Sequence, residues 1–321
     1  MSINIIFEGE YIMEYVFKTA QEAWSVLYDD LGNNNIEHEI CDFYQSQPRG
    51  RKCNETIGTS IKILEPQNCL IWTKVRKLSP IYLAKECLWY LNGSRKVEDA
   101  PSKVWEGLIN KTGKEKGLIN SNYGHWIFTK KDNKHPKKSV YEATVDLLKK
   151  DSDSRQAIWQ IPIMPYRQND DTPCTSSAHF VLRDNKLYLT IYQRSCDIWF
   201  GLANDITQFI LWQMKLAKDL NVELGWYRHS FGSLHCYEEN FIINKDEYMK
   251  EMDDTVKQGH EGMSYFEYYD DRNYRDIFDE IMSDFNILST KSRQEIIENN
   301  LIKNDELKYM LDNMKVAKFI R

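Results

Sequence analysis

Several features that mark particular classes of protein are missing from this sequence of 321 residues. It has no run of about 18 apolar residues, so we expect no membrane-spanning helix. Its first residues carry Glu8, Glu10 and Glu14 and no basic stretch, which argues against a secretory signal peptide. Basic side chains are not in excess, because 48 acidic residues face 42 basic ones. Broad binding to nucleic acid needs such an excess. The sequence therefore predicts a cytoplasmic protein without direct membrane or nucleic-acid binding.

The cysteines also lack any pattern of metal or disulfide chemistry. There are seven of them, scattered and odd in number, and no Cys-x-x-Cys or paired histidines have the spacing of zinc ligands. Free thiols in a reducing compartment are the simplest interpretation, and no metal is expected. A small buried apolar side chain is the default role of each cysteine.

Internal repeats and linkers rich in Gly, Pro or Ser are absent as well, so only changes in composition suggest domain boundaries. Residues 1–243 mix helix and strand patterns without a regular βαβ alternation, which indicates an α+β fold. Residues 244–313 are rich in charged residues, Met and Tyr, and are predicted as a polar helical insertion or subdomain. Residues 314–321 are predicted as a C-terminal tail that can close the active site.

Local patterns predict individual elements. Periodicity and capping signals predict helices over 13–30, 80–92, 139–150 and 205–220, the last of them capped by Asn204. Alternation and β-branched residues predict strands over 57–64 and 230–237 and a long hairpin over 178–195, turning at Asp184-Asn185.

Two charged or nucleophilic residues stand out around this hairpin. Cys174 precedes its first strand, and a thiolate is a good nucleophile when positive groups lie nearby. Arg194 lies in QRSCD at the end of its second strand. Arg194 is either a buried partner of Asp197 or a phosphate-binding residue beside a nucleophile.

Together these strings resemble the thymidylate synthase family. Pro173-Cys174, QRSCD, GLANDI and GSLHCY match the family's motifs in order and at compatible spacings, and KECLWYLNGS, VWEGL, NSNYG and DSDSRQ are similar to upstream ones. The resemblance runs from Arg49 to Asn240 and leaves 245–313 uncovered. It implies the family's fold, a central mixed sheet packed by helices, and a homodimer formed through the sheet with shared active sites. It also implies a nucleoside monophosphate substrate and 5,10-methylenetetrahydrofolate as the co-substrate.

The resemblance assigns a role to each matching position. The catalytic residues would be Cys174 as nucleophile, Glu86 as proton relay, Tyr123 in removal of the C5 proton, and Asp205. The phosphate would meet Arg194, Ser195, Arg155 of the other subunit, and Arg49 or Arg51, with Lys52 a further choice. The base and sugar would meet Gln193, Asp205, His235 and Tyr237. The folate would meet Trp105, Asp197, Phe200 and Gly201.

Three departures from the family pattern are present: those at Asp205 and Thr175 affect the expected substrate, and the one at Gln156 implies one phosphate contact from the partner subunit rather than two. Asp205 replaces the Asn whose amide suits uracil, Thr175 replaces the His after the nucleophile, and Gln156 replaces the second Arg of the interface loop. A carboxylate accepts from the cytosine amino group, and from N3 once that nitrogen is protonated, but has nothing to donate to uracil O4. The departures therefore resemble phage deoxycytidylate hydroxymethylases. The simpler interpretation of Asp205 is a charge at the start of a helix.

We thus expect a deoxycytidylate 5-hydroxymethyltransferase, in the host cytoplasm if the source is viral. Three alternatives stay open: a dCMP 5-methyltransferase, a thymidylate synthase acting on dUMP, and a catalytically inactive relative that binds or regulates. No residue separates the methyl from the hydroxymethyl product, although the end of the chain, KVAKFIR, lacks the short apolar terminus of synthases that transfer hydride.

Overall fold

Two mixed β-sheets and the helices packed on them make up the protein. The computed structural model describes residues 6–7, 10–11, 14–33, 43–73, 76–111, 115–167, 169, 171–241 and 272–314. The strands are β1 (Ile6–Phe7), β2 (Glu10–Tyr11), β3 (Glu14–Phe17), β4 (Phe43–Ser46), β5 (Cys53–Ile57), β6 (Ser60–Ile63), β7 (Ile158–Gln160), β8 (Thr175–Arg183), β9 (Lys186–Gln193), β10 (Cys196–Asp197), β11 (Glu223–Phe231) and β12 (Ser233–Tyr237). The α-helices are α1 (Ala20–Asn33), α2 (Pro80–Asn92), α3 (Val140–Lys150), α4 (Ala203–Leu220), α5 (Tyr274–Thr290), α6 (Arg293–Glu298) and α7 (Asp305–Asn313).

The larger sheet has the strand order β3-β6-β11-β9-β8-β7. Strands β3 and β6 are parallel, as are β11 and β9, whereas the other neighbours run antiparallel. The smaller sheet has the order β10-β12-β5-β4, with one parallel pair at its β10 edge. The strands β1 and β2 pair with each other. This arrangement confirms the predicted α+β class with a central mixed sheet.

One face of the larger sheet carries the hydrophobic core. Side chains from alternate positions of β8, β9 and β11 point into it and are fully or almost fully buried, and α4 packs on β9 and β11. Helix α5 packs on α2 and α4, and α7 also contacts α2. The polar region predicted over 244–313 therefore contributes helices that bury apolar side chains against the helix that carries Glu86. Within the described residues, no helix has the length and apolarity of a transmembrane segment.

Two predicted elements form as their capping signals indicate. Helix α2 begins after Ser79, whose side chain accepts from the Tyr82 N–H, and ends at Gly93 with a left-handed φ of 70°. The β8–β9 hairpin turns through Asp184 (φ 50°) and Asn185 (φ 59°), the backbone geometry of a type I′ turn.

Other predictions were wrong. Residues 14–17 form β3 rather than the start of a helix, because Tyr15 and Phe17 alternate into the core beside β6; the helix begins only at Ala20. The strand predicted over 57–64 is interrupted by a turn at Gly58 (φ 74°), and the strand predicted over 230–237 breaks at Gly232. Residues 315–321, which carry the C-terminal tail, lie outside the described residues.

Asn204 does not cap α4, contrary to the prediction. It lies in the first turn of the helix, buried, and its amide donates to the Phe200 carbonyl. The chain enters α4 through a π-helical turn, Ile198–Leu202, whose N–H groups at Trp199 and Phe200 donate to Oδ1 of Asp197. Asp197 therefore caps the π-helical turn that leads into α4, and it lies before Asn204 by about two helical turns.

Candidate active site

An open cavity of about 700 Å³ lies where the ends of both sheets meet. Its walls include ten of the sixteen residues predicted for the site: Arg49, Arg51, Trp105, Tyr123, Cys174, Arg194, Ser195, Asp197, His235 and Tyr237. Gln193, Glu86 and Asp205 are not among its lining residues, and neither are Gly201, Phe200 and Arg155. The fold thus gathers most of the predicted residues into one concave site.

The β8–β9 hairpin brings Cys174 and Arg194 together. Thr175 pairs with Gln193 in the ladder, so the residues just beyond them become neighbours. The backbone N–H of Arg194 donates to the Cys174 carbonyl at 2.9 Å. Its guanidinium donates to the carbonyls of Pro173 at 2.9 Å and Thr172 at 2.8 Å, and Nη2 lies 3.8 Å from Sγ of Cys174. Arg194 is exposed, so the interpretation of a buried ion pair with Asp197 was wrong.

The electrostatic surroundings of Cys174 differ from expectation. Burial raises the pKa of its thiol to about 11, although Arg194 and Arg49 act to lower it. Asp205 and Asp171 raise the thiol pKa further. Burial therefore has the larger effect on the thiol pKa, and the two arginines offset only part of it.

Asp205 lies in the first turn of α4, and the side chain of Gln193 holds its carboxylate. Nε2 of Gln193 donates to Oδ2 of Asp205 at 2.9 Å and to the hydroxyl of Thr175 at 2.9 Å. Burial raises the pKa of Asp205 to about 7, while the bond from Gln193 acts to lower it. Gly201 lies beside it, since a Cβ there would be 3.4 Å from Oδ2 of Asp205. The Asp205 carboxyl group can therefore gain or lose a proton near neutral pH.

Glu86 points from α2 towards the same region. Burial raises its pKa to about 8, and the charge of Asp205 adds to this effect. The hydroxyl of Tyr82 donates to Oε1 of Glu86 at 2.8 Å and accepts from Nε1 of Trp105 at 3.3 Å. A carboxyl group with this pKa is suited to general acid–base chemistry. Tyr82 was not predicted, although its spacing of four residues on the helix could have indicated the contact.

Tyr123 is held between α2 and the nucleophile. Its ring stacks on Tyr90 at 5.2 Å between centroids, and the charges of Cys174 and Asp205 contribute to a pKa raised chiefly by burial. Asp171, which was not predicted, connects the segment before Cys174 to the segment before Tyr123. Its carboxylate accepts from the backbone N–H of Asn120 at 2.6 Å and of Ser121 at 2.8 Å, and from the Ser121 hydroxyl. No local sequence signal indicates these long-range hydrogen bonds.

A second group lies on the smaller sheet. Asp197 and His235 are register partners on β10 and β12, and Tyr237 follows with its ring 5.1 Å from that of His235. Arg51 stacks over Tyr237 at 3.7 Å and forms an ion pair with Glu239. Polar groups able to meet a sugar hydroxyl thus face the cavity.

The structure separates the two candidate arginines of PRGRKC. Arg51 is occupied by Glu239, whereas Arg49, in the turn Pro48–Gly50 with φ 54°, has no hydrogen-bond or ion-pair partner within the described part of the chain. Arg49 is close enough to affect the thiol pKa of Cys174.

Two further predicted site residues, Phe200 and Arg155, do not line the cavity. Phe200 is 56% exposed. Arg155 is exposed before β7, and its carbonyl contacts Nε2 of His179 at 3.2 Å. Within the residues that the structure describes, no group of three or more His, Cys, Asp or Glu could hold a metal ion.

Comparison with known proteins identifies the family. The sequence model of thymidylate synthase matches residues 42–300, most of the chain and well into the region that sequence motifs leave uncovered. The chain belongs to the thymidylate synthase family. It is therefore a transferase of the thymidylate synthase kind; the family transfers a one-carbon unit from methylenetetrahydrofolate to a nucleoside monophosphate.

Characterised relatives and a solved structure agree with this assignment. The chain is 31% identical over 214 residues to the deoxycytidylate 5-hydroxymethyltransferase of Enterobacteria phage T4, covering 60% of this chain and 79% of the relative. It is 29% identical over 218 residues to the deoxyuridylate hydroxymethyltransferase of Bacillus phage SP01, covering 60% of this chain and 53% of that relative. The fold matches thermostable thymidylate synthase A from Bacillus subtilis with a TM-score of 0.55, 20% identity, and coverage of 74% of this chain and 84% of that one.

Proposed function

We propose that this family member is a deoxycytidylate 5-hydroxymethyltransferase. It would transfer a one-carbon unit from 5,10-methylenetetrahydrofolate to C5 of dCMP and complete the reaction with water. The observation that carries the proposal is the Asp205 carboxyl group, fixed by Gln193 at the position where thymidylate synthases have an amide. The similarity to a phage deoxycytidylate enzyme supports the same choice.

The charge pattern of cytosine explains why a carboxyl group suits it. The cytosine amino group donates to a carboxylate oxygen, and N3 is a basic ring nitrogen that can share the proton of Asp205. A pKa of about 7 keeps that proton available at neutral pH. Asp205 would then stabilise the charge that develops at N3 when C6 is attacked.

The nucleotide phosphate and sugar would be held at the two ends of the cavity. Arg194, Ser195 and Arg49 would bind the phosphate by charge-assisted hydrogen bonds, with Arg49 favoured over Arg51 because Glu239 occupies the latter. His235 and Tyr237 would meet the sugar 3′-hydroxyl. This orientation would place C6 of the base at Cys174.

Cys174 would form a bond to C6 after losing its proton, and the C5–C6 electron pair would then make C5 a nucleophile. Once C5 has bonded to the one-carbon unit, Tyr123, stacked on Tyr90, would assist removal of the C5 proton, and the folate nitrogen would leave with the electron pair of its bond to that carbon, so that C5 carries an exocyclic methylene. Glu86 would take the proton of the water that adds to the exocyclic carbon, and the electron pair would leave with the sulfur of Cys174 as C5=C6 re-forms. No oxidation or reduction occurs in that step.

The residues present fit the folate as co-substrate. Trp105 and Asp197 line the same cavity, and the exposed Phe200 ring belongs to the π-helical turn that follows Asp197. An indole ring offers a stacking surface for a flat pterin, and Asp197 offers a carboxylate for its N–H groups, since both bonds to Trp199 and Phe200 use Oδ1. When bound, the folate supplies the one-carbon unit.

Hydroxymethylation of dUMP is the second candidate, and two observations favour it. One relative is a deoxyuridylate hydroxymethyltransferase. A protonated Asp205, accessible at a pKa of about 7, could also accept from uracil N3–H and donate to O4.

Substrate competition with Asp205→Asn tests the proposal. Wild type should prefer dCMP, and the variant should lose dCMP turnover and gain dUMP turnover, because a site that loses a matched hydrogen bond leaves buried groups unpaired at ~1–3 kcal/mol each. The preference should change by roughly 10²–10⁴-fold. Mass spectrometry of the product from dCMP should show hydroxymethyl. A wild type that prefers dUMP, or a substitution that leaves the preference unchanged, would refute the cytidylate assignment.

A further inference from the structure

A chain of fully buried polar side chains lies beneath the candidate active site. Gln193 ends β9, and Tyr227 and His229 lie two residues apart on the inner face of β11; all three are completely buried. Oε1 of Gln193 is 3.0 Å from Nε2 of His229, and Nδ1 of His229 is 2.8 Å from the hydroxyl of Tyr227. On its other side, Nε2 of Gln193 contacts Asp205 and Thr175.

Such a network in a hydrophobic core needs an explanation. Buried polar groups are stable only when they are hydrogen-bonded, and apolar side chains would pack here with fewer constraints. His229 is clamped by aromatic rings, with Phe231 at 4.3 Å and Phe209 at 5.7 Å between centroids. Among the residues that the structure describes, Gln193 and Tyr227 are the only hydrogen-bond partners of its ring, so the orientation of the ring depends on the residue that contacts Asp205.

The donor and acceptor roles along the chain follow from the charge of Asp205. An ionised carboxylate can only accept, so the Gln193 amide must turn its NH₂ group towards Asp205 and its oxygen towards His229. His229 must then donate from Nε2. A buried imidazole of this kind is neutral, because burial lowers its pKa to about 3, and it has one N–H to give. Nδ1 therefore accepts from the hydroxyl of Tyr227, whose pKa burial raises.

We propose that His229, supported by Tyr227, is a positioning residue for base selectivity. By holding the Gln193 oxygen, it keeps the Gln193 NH₂ group on residue 205 and so fixes which atoms residue 205 presents to the base. The inference rests on the proposed function, in which residue 205 contacts the base.

The same network explains why replacing Asp205 by Asn would change the preference from cytosine to uracil. With Asp205, one oxygen is taken by Gln193 and the other faces the base as an acceptor. With Asn at 205, the amide oxygen would face the Gln193 NH₂ group, so its own NH₂ would face the base and donate to uracil O4. Without His229, the Gln193 amide could reverse. Its oxygen would then accept the single proton of a protonated Asp205, which leaves the other Asp205 oxygen a neutral acceptor with no proton to share with cytosine N3.

Kinetics of the full-length protein with dCMP and dUMP test this role. In His229→Phe the ratio of kcat/KM for dCMP to that for dUMP should fall about tenfold or more, whereas His229→Gln, which offers an amide donor and acceptor, should restore it to within about threefold of wild type. Phe180→Leu, another fully buried change in the same sheet, should leave the ratio unchanged. The effect of Asp205→Asn on the ratio should be smaller by about tenfold in the His229→Phe background.

The outcomes separate the two proposals. If Asp205→Asn alone leaves selectivity unchanged, the proposed function fails; if it shifts selectivity but His229→Phe neither lowers the ratio nor reduces that shift, only the role of His229 fails. ¹⁵N NMR of histidine-labelled wild type provides a measurement that needs no folded His229→Phe variant, with the signal assigned by comparison with His229→Gln. His229 should remain neutral with its proton on Nε2 from pH 5.5 to pH 8, roughly the range in which free histidine titrates. A proton on Nδ1, or titration within that range, would overturn the inference.

Discussion

At the scale of single residues, Cys174 has surroundings unlike those of the other described cysteines. Five of the six are buried, whereas Cys174 is only partly buried and opens onto the cavity. Cys174→Ala should abolish both turnover and release of tritium from C5 of labelled nucleotide, because Cys53, the other described cysteine that lines the cavity, is buried and contacts the hydroxyl of Ser46 at 3.1 Å. Cys196→Ala, one residue beyond Ser195 and buried, should retain both. Substantial tritium release by Cys174→Ala would contradict the mechanism.

The pKa of Glu86 is raised mainly by burial, but two neighbours, Asp205 and Tyr82, also affect it and do so in opposite directions. Tyr82→Phe removes a hydrogen bond that stabilises the carboxylate, so the Glu86 pKa should rise above about 8. Asp205→Asn removes a negative charge that raises it, so the Glu86 pKa should fall. ¹³C NMR of labelled glutamate carboxyls across pH 5 to pH 9, about the range that spans these values, measures both shifts. Movement in the same direction in the two variants would be inconsistent with this arrangement.

Site residues that lie in or beside short motifs could be predicted from the sequence, whereas residues whose partners are distant in the sequence could not. Cys174 and Arg194 could be paired from the sequence because hairpin register makes them neighbours. The role of Tyr82 could have been predicted, because it lies four residues before Glu86 on the same helix. Asp171 and His229 could not be predicted, since their partners lie 50 and 36 residues away and only the folded chain brings them together.

At the scale of elements, the approach of the Tyr123 segment to α2 depends on one glycine. A Cβ at Gly124 would lie 1.6 Å from the carbonyl oxygen of Tyr90, in the backbone of the helix that carries Glu86. Gly124→Ala should therefore push Tyr123 away from Tyr90 and lower kcat by about 10²-fold, since a displacement of about 1 Å is enough for such a loss.

The matched control for Gly124→Ala is Gly107→Ala, where an added Cβ meets no atom within 4 Å. This variant should keep wild-type kcat and thermal stability. Equal activity of the two variants would show that α2 and the Tyr123 segment do not need this close contact.

Elements with local signals were predictable, and elements that depend on distant strands were not. Helices α2 and α3 have capping residues at Ser79 and Ser139 that the structure uses as such. Strand β3 was mistaken for helix because its four residues are defined by pairing with β6, more than forty residues later. The entry into α4 was misplaced because the π-helical turn moves the capping role to Asp197.

At the scale of the whole molecule, the larger sheet leaves one face without covering elements among the described residues. Helices cover the face that carries Tyr227 and His229, whereas the opposite face presents Trp226 and Tyr192, the latter 44% exposed. Ile158 at the β7 edge is also 44% exposed. We propose that a second copy of the chain packs on this face, in the homodimer that the family resemblance implies.

Arg155 connects this dimer to the chemistry. It is exposed just before β7 and is not part of the cavity of its own chain, as expected for a residue that serves the partner's site. Arg155→Ala should weaken phosphate binding, raise KM for the nucleotide and leave the Cys174 thiol intact. At a nucleotide concentration far below that raised KM the Arg155→Ala dimer should be nearly inactive, and mixing it with an inactive Cys174→Ala dimer should restore activity. In a hybrid dimer, one site has both mutations, while the other has an intact Cys174 and receives an intact Arg155 from its partner. At equal mixing half of the dimers are hybrids, so roughly a quarter of wild-type activity should return if the sites work independently.

Subunit exchange is checked by mass spectrometry of differently labelled chains. Exchanged dimers that stay inactive would show that Arg155 does not act across the interface.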